Sequence, residues 1–149
     1  MTLRMDNVLV VVDDLEAAIA FFAALGMEVE GRTVVEGEPV DRLVGIDGVR
    51  SEIVMMRTPD GGSRIELDKF HAPGAVGAED PPAPVNALGI RRFMFEVDDL
   101  DDVLVRLQQD HGAELVGEVT QYDGYRMCYL HGPDGVMVAL TEQLDRAAP

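Results

Sequence analysis

The side chains best suited to ligate a metal or attack a carbonyl are few in this sequence of 149 residues. Histidine occurs at His71, His111 and His131, and the single cysteine is Cys128. Zinc and related metals are held by such residues at short spacings, for example two histidines one helical turn apart. No His-x-x-x-His or Cys-x-x-Cys pair is present, and no Walker loop or Gly-x-Gly-x-x-Gly fingerprint. The histidines fall just past a strand, at a helix end and in a turn, and read as solvated side chains. Cys128 has no activating neighbour in the sequence, so it reads as buried packing and not as a nucleophile.

Carboxylates are plentiful instead. Twenty-eight acidic residues face 12 basic ones, a formal net charge of −16. A chain this acidic repels phosphate backbones and anionic bilayers, so nucleic acid and membrane are poor partners. Solubility accounts for the charge; attraction of a cationic small molecule is the functional alternative.

Hydrophobic residues make up 47% of the chain, enough for a real core. No apolar run approaches the roughly 20 residues of a membrane span. The opening "MTLRMDNVLVVVDD" has no signal-cleavage pattern, and one cysteine excludes an internal disulfide framework. The expectation is a soluble cytoplasmic protein, with residues 1–149 making a single domain.

A repeat shows how the chain positions its side chains. "VDDL" occurs at Val12–Leu15 and again at Val97–Leu100, each time after an apolar run and before an amphipathic one. Asp14 and Asp99 are natural N-caps, since a short carboxylate accepts the free N–H groups of a first helical turn. Leu15, Ala18, Ile19, Phe22 and Leu25 then recur with helical spacing, as do Leu100, Val103, Leu104 and Leu107. Helices are predicted near 14–25 and 99–111, stopping at Gly26 and Gly112. "MEVEG" at 27–31 matches "AELVG" at 113–117 as a strand candidate. "TPDGGSRIEL" at 58–67 resembles "GPDGVMVAL" at 132–140, with turn chemistry leading into a strand. Further strands are predicted at 51–57 and 125–130. Each half reads strand, helix, three strands: modules at 4–70 and 89–145, with a Pro- and Ala-rich connector at 71–88.

Two tandem βαβββ modules with these caps and turns resemble the glyoxalase/bleomycin resistance protein/dioxygenase superfamily, the vicinal oxygen chelate proteins, over roughly residues 4–145. The resemblance implies an α+β fold whose mixed sheets curl into a cup around a ligand, and commonly a homodimer. It also implies a divalent metal held by two side chains from each module: one on the opening strand, typically His, and a Glu after the Pro-Asp-Gly turn. Counting back from the repeated VDDL puts the opening-strand positions at Asn7 and Arg92, and aligning Leu67 with Leu140 after the turns puts the others at Glu66 and Ala139. Only Glu66 is a good ligand there. Alanine has no donor, a guanidinium repels a dication, and an asparagine amide binds Ca²⁺ or Mg²⁺ weakly. Glu142, three residues past Ala139, falls on the opposite face by alternation and reads as solvated. No metal and no other cofactor is expected.

Alternation also assembles the rest of the candidate cup. Asn7 and Leu9 share a face, as do Arg92, Met94 and Glu96, and Ala139 with Met137 and Thr141. Glu66 shares its face with Arg64. Met127, with Met55 or Met56, offers adaptable apolar contact, and Tyr125 and Tyr129 offer walls or hydroxyl donors; all of these equally serve a packed core. For Arg92 three readings stand open: it binds a substrate carboxylate or enolate, it bridges to Glu66, or Arg91 takes its place.

Two functions of different class follow. One is a binding protein that holds a small organic molecule in a metal-free cup, as drug-sequestering members of the superfamily do. The other is a metal-independent isomerase, epimerase or lyase acting on a small carbonyl compound. There Glu66 is the base and Arg92 steadies the oxyanion, although an adjacent arginine weakens the base. A metallo-glyoxalase or dioxygenase ranks third because three of the four metal positions are broken.

Overall fold

A computed structural model describes residues 2–77 and 81–144; residue 145 and part of the connector, 78–80, lie outside the described residues. The chain forms two compact units, residues 1–77 and 78–149. In the first, β1 (Val8–Val11) leads to α1 (Leu15–Leu25), β2 (Glu28–Glu36), α2 (Glu38–Val44), β3 (Arg50–Arg57) and β4 (Arg64–Ala72). Its sheet has the order β1-β4-β3-β2, with β1 parallel to β4 and the other pairs antiparallel. In the second unit, β5 (Phe93–Glu96) leads to α3 (Leu100–His111), β6 (Glu114–Leu115), β7 (Thr120–Tyr122), β8 (Tyr125–His131) and β9 (Met137–Gln143). That sheet runs β5-β9-β8-β6, with β5 parallel to β9 and β7 also paired to β8. The α+β class and the two mixed sheets read from the repeat are the observed ones.

Both repeated caps form. The Asp14 carboxylate accepts from the Ala17 amide at 3.0 Å, and Asp99 accepts from the Asp102 amide at 3.1 Å. Gly26 and Gly112 end the helices in left-handed conformation. On α1 the buried residues are Leu15, Ala18, Phe21 and Phe22, the two phenyl rings meeting edge to face with centroids 5.2 Å apart. The expected stripe had Ile19 and Leu25 where Phe21 now completes the buried face. On α3 the expected four, Leu100, Val103, Leu104 and Leu107, are the buried ones. Beneath α1 lie Val54, Met56, Ile65 and Leu67, and unit two buries Cys128, Leu130, Val138 and Leu140. Each set comes from alternate strand positions, so one face of each sheet is committed to its helix.

Five elements differ from the sequence expectation. Strand β2 continues through Glu36, and α2 fills much of what followed. That helix buries no side chain, so hydrophobic periodicity carries no trace of it. Polar bonds hold it: Arg42 pairs with Glu38 one turn back, and the Asp41 carboxylate accepts from the Gly48 and Val49 amides at 2.9 and 2.8 Å. In unit two the strand expected at 113–117 shrinks to two residues, while β7 forms a hairpin with β8 through Asp123 and Gly124, both at positive φ. Strand β4 runs on through Ala72, two residues into the segment 71–88.

The caps give a direct test of this architecture. Asp14→Ala and Asp99→Ala should each lower unfolding free energy by about 1 kcal/mol in urea titrations, while the Asn substitutions, which keep the acceptor, should cost much less.

Candidate functional site

The sheet face turned away from each helix carries the residues singled out by alternation. In unit one, the parallel pairing sets Leu9 beside Glu66 and Val11 beside Asp68, and β3 brings Met55 opposite Glu66 and Ile53 opposite Asp68. Of the two candidate methionines, Met55 therefore takes this face; Met56 is fully buried on the other. Leu9 remains 49% exposed on this face.

Sequence reasoning missed Asp68, two residues beyond Glu66 on the same face. Asp68 is 5% exposed, and its carboxyl is pushed up to about 8, first by burial, then by a hydrogen bond and charge repulsion from Glu66. Ionising a buried carboxyl beside another acid is costly in low dielectric, which favours the neutral form of Asp68. The remaining Asp68 oxygen, Oδ1, has no hydrogen-bond partner. The sequence does carry a signal, an acidic residue at i and i+2 of a strand that ends a module. Arg64 does not relieve the pair, being clamped by Glu30 at 2.8 Å and by Asp6 at 3.2 Å. Glu30 is the extra residue of a bulge in β2, between the Val29 and Gly31 registers, and the bulge frees it for this bridge. Asn7 lies just before β1, its amide donating to Asp6 at 2.8 Å.

In unit two, β9 is central: Met94 and Tyr129 flank Ala139, while Met127 lies opposite Thr141. Arg92 takes this face. Its Nε donates to the Tyr129 hydroxyl at 2.8 Å, and its guanidinium carbon lies 5.4 Å from the centre of that ring. Hydrogen bond and cation–π contact together hold the planar group in place. Ala139 is fully buried, with only a methyl group at the register between Met94 and Tyr129. Tyr125 and Met94 are 38% and 37% exposed at the edges of this face.

At the start of β5 and β9 a pocket of about 170 Å³ is lined by Arg91, Arg92, Ile90, Phe93, Val136 and Met137, among others. The tandem arginines precede the paired part of β5, so strict alternation does not separate them, and both reach the pocket. Arg91 Nε is buried without a hydrogen-bond partner, a state that costs about 1–3 kcal/mol. Gly135 forms one rim at φ 76; a Cβ there would meet Pro82 at 2.9 Å, so only glycine admits this approach of segment and turn.

Other expected bystanders have definite partners. Glu142 is not simply solvated: its Oε1 accepts from the Leu100 amide at 2.7 Å, adding a second acceptor at the start of α3. His71 lies 3.5 Å from Glu52, and His131 Nδ1 lies 3.3 Å from the Gly135 carbonyl oxygen. Cys128 is buried, and desolvation pushes its thiol up, away from the nucleophilic thiolate.

Fold and face together define the class of protein. The family model described as Glyoxalase/Bleomycin resistance protein/Dioxygenase superfamily matches residues 4–140, and the chain belongs to that superfamily. A solved glyoxalase family protein from Bacillus cereus is 50% identical over 97% of this chain and 96% of its own, with a TM-score of 0.90. Two others share the fold. A glyoxalase family protein from Enterococcus faecalis is 21% identical over 93% of this chain and 97% of its own, TM-score 0.62. A fosfomycin resistance protein from Listeria monocytogenes, solved with Mn(II) and sulfate, is 13% identical over 95% and 93%, TM-score 0.57. Among curated proteins none matches.

The divalent metal that the superfamily implies does not fit the residues at its four positions. Ala139 offers no donor, Arg92 is a cation fastened to Tyr129, and Asn7 offers only an amide oxygen, leaving Glu66. Among the described residues no three His, Cys, Asp or Glu side chains are grouped closely enough to hold an ion.

The Asp68 carboxyl gives a signed pH dependence. Between its ordinary 3.8 and about 8 the folded chain keeps a proton that the unfolded chain has released, so this group makes stability fall as pH rises through that window. Relative to wild type, Asp68→Asn should remove that downward slope and gain stability at neutral pH, read from urea midpoints at successive pH values. Equal slopes in both proteins would contradict a raised Asp68 carboxyl.

Proposed function

We propose that this protein binds a small organic molecule against the open faces of its sheets without a tightly held metal. The observation that carries the reading is the set Asn7, Glu66, Arg92 and Ala139 at the superfamily's metal positions, with Arg92 bonded to Tyr129 instead of standing free. Half-exposed Leu9 lies beside Glu66 in unit one, and in unit two half-exposed Met94 lies beside Ala139, with Tyr125 further along β8 from Tyr129. Such a mixture of apolar wall and a few fixed polar groups is what small-ligand sites use. Met127 and Met137 complete the set of adaptable contacts.

A second reading is favoured by the Glu66–Asp68 pair. A carboxyl pushed up to about 8, as that of Asp68 is, can take up and return a proton near neutrality, as an isomerase, epimerase or lyase of small carbonyl compounds requires. In that reading Glu66 serves as the base. We further infer a cytoplasmic homodimer, following the superfamily's common habit and the single buried cysteine.

A thermal-shift screen against a metabolite library, after dialysis with EDTA, separates these readings. Hits that persist without metal and return chemically unchanged support the binder; a converted compound, with turnover lost in Glu66→Gln, supports the enzyme. Near one transition metal per chain, lost together with binding when Glu66 is replaced, would overturn both. Light scattering should give twice the 16.2 kDa of the chain; a monomer mass at micromolar concentration would contradict the dimer.

A further inference from the structure

In a chain with 28 acidic and 12 basic residues, a cation without a carboxylate beside it is unusual. Lys69 and the other described arginines each have a carboxylate within ion-pair distance. Arg91 and Arg92 have none among the described residues, and they are adjacent and line one pocket. The pocket's lining contains no acidic side chain.

The Arg92 guanidinium is held in place before any ligand arrives. Arg92 spends Nε on the Tyr129 hydroxyl, which leaves its two terminal amino groups for a ligand. Arg91 folds back over Gly89, its Nη2 lying 3.4 Å from where a side chain at 89 would begin, and its buried Nε–H lacks an acceptor. Neither guanidinium has a carboxylate counter-charge among the described residues, and an oxyanion in the pocket that both residues line supplies one. A volume of about 170 Å³ holds roughly five water volumes, room for an oxyanion and a few carbon atoms against Ile90, Phe93, Val136 and Met137.

We propose that Arg91 and Arg92 form a site for the oxyanion, carboxylate or phosphate, of a small organic anion, at the end of the second sheet where β5 and β9 begin. The guanidinium forks read the planar or tetrahedral anion through paired N–H donors, and the apolar wall takes the carbon body. This rests on the small-molecule reading above only for the remainder of the ligand; the anion itself is tested separately.

Titrations with sodium propionate and with inorganic phosphate, at ionic strength held constant with sodium chloride, should move the Arg91 Nε–H resonance saturably in NMR spectra. The Arg42 and Arg106 resonances should move no more than in chloride alone. Arg91→Gln and Arg92→Gln should each weaken binding by about tenfold or more, and Arg92→Lys, which keeps charge but not the fork, by less. Melting curves establish that each variant is folded, and the wild-type resonance reads the site without any variant. Saturation by propionate alone assigns a carboxylate, by phosphate alone a phosphate; either supports the site. No saturable response to either anion beyond chloride, or unchanged affinity in both Gln variants, overturns it. A saturable anion site with no hit in the metabolite screen would leave the site standing and remove the small-molecule reading instead.

Discussion

Backbone hydrogen bonds join the last strand of each unit in parallel to its first, β4 to β1 and β9 to β5. A parallel pair needs a crossover, and the capped helices α1 and α3 begin it. Because a helix covers one face, alternation turns every second side chain of each strand to the opposite face. Glu66 beside Leu9, and Ala139 beside Met94, are consequences of that register. Shift it by one residue and the buried Ile65 and Leu67 would take the opposite face while Glu66 and Asp68 met the core.

Polar side chains on these faces are occupied to very different degrees. In unit one Arg64 is consumed by Asp6 and Glu30, so the Glu66–Asp68 pair keeps its repulsion and holds a proton instead. In unit two Arg92 is oriented by a hydroxyl and a ring that do not neutralise it. One face therefore presents a carboxyl, Asp68, held toward its neutral form, and the other a fixed cation. Both arrangements suit polar groups of a small molecule better than they suit a divalent ion, which needs several ionised oxygen or nitrogen donors converging.

Polar stabilisation also explains where the sequence was hard to read. The caps Asp14 and Asp99 and the apolar stripes of α1 and α3 recur as patterns, because burial acts on every third or fourth residue. Helix α2 depends on Asp41 reaching the amides of Gly48 and Val49, contacts that leave no periodic mark. The hairpin between β7 and β8 was legible in principle, since Asp123-Gly124 between tyrosines is strong turn chemistry. Glu142 looked solvated because its partner, the Leu100 amide, is 42 residues away in the chain.

The sequence by itself determined the repeat, the two capped helices and the alternating faces, since each depends on residue type and local spacing. Tertiary structure decided which groups became partners: Arg92 with Tyr129, Glu66 with Asp68, and Arg91 with Arg92 around one pocket. Those outcomes depend on strand register and on what each side chain loses when water is removed. Spacing along the chain encodes which face a residue takes, but desolvation and reach across neighbouring strands are properties of the assembled sheet.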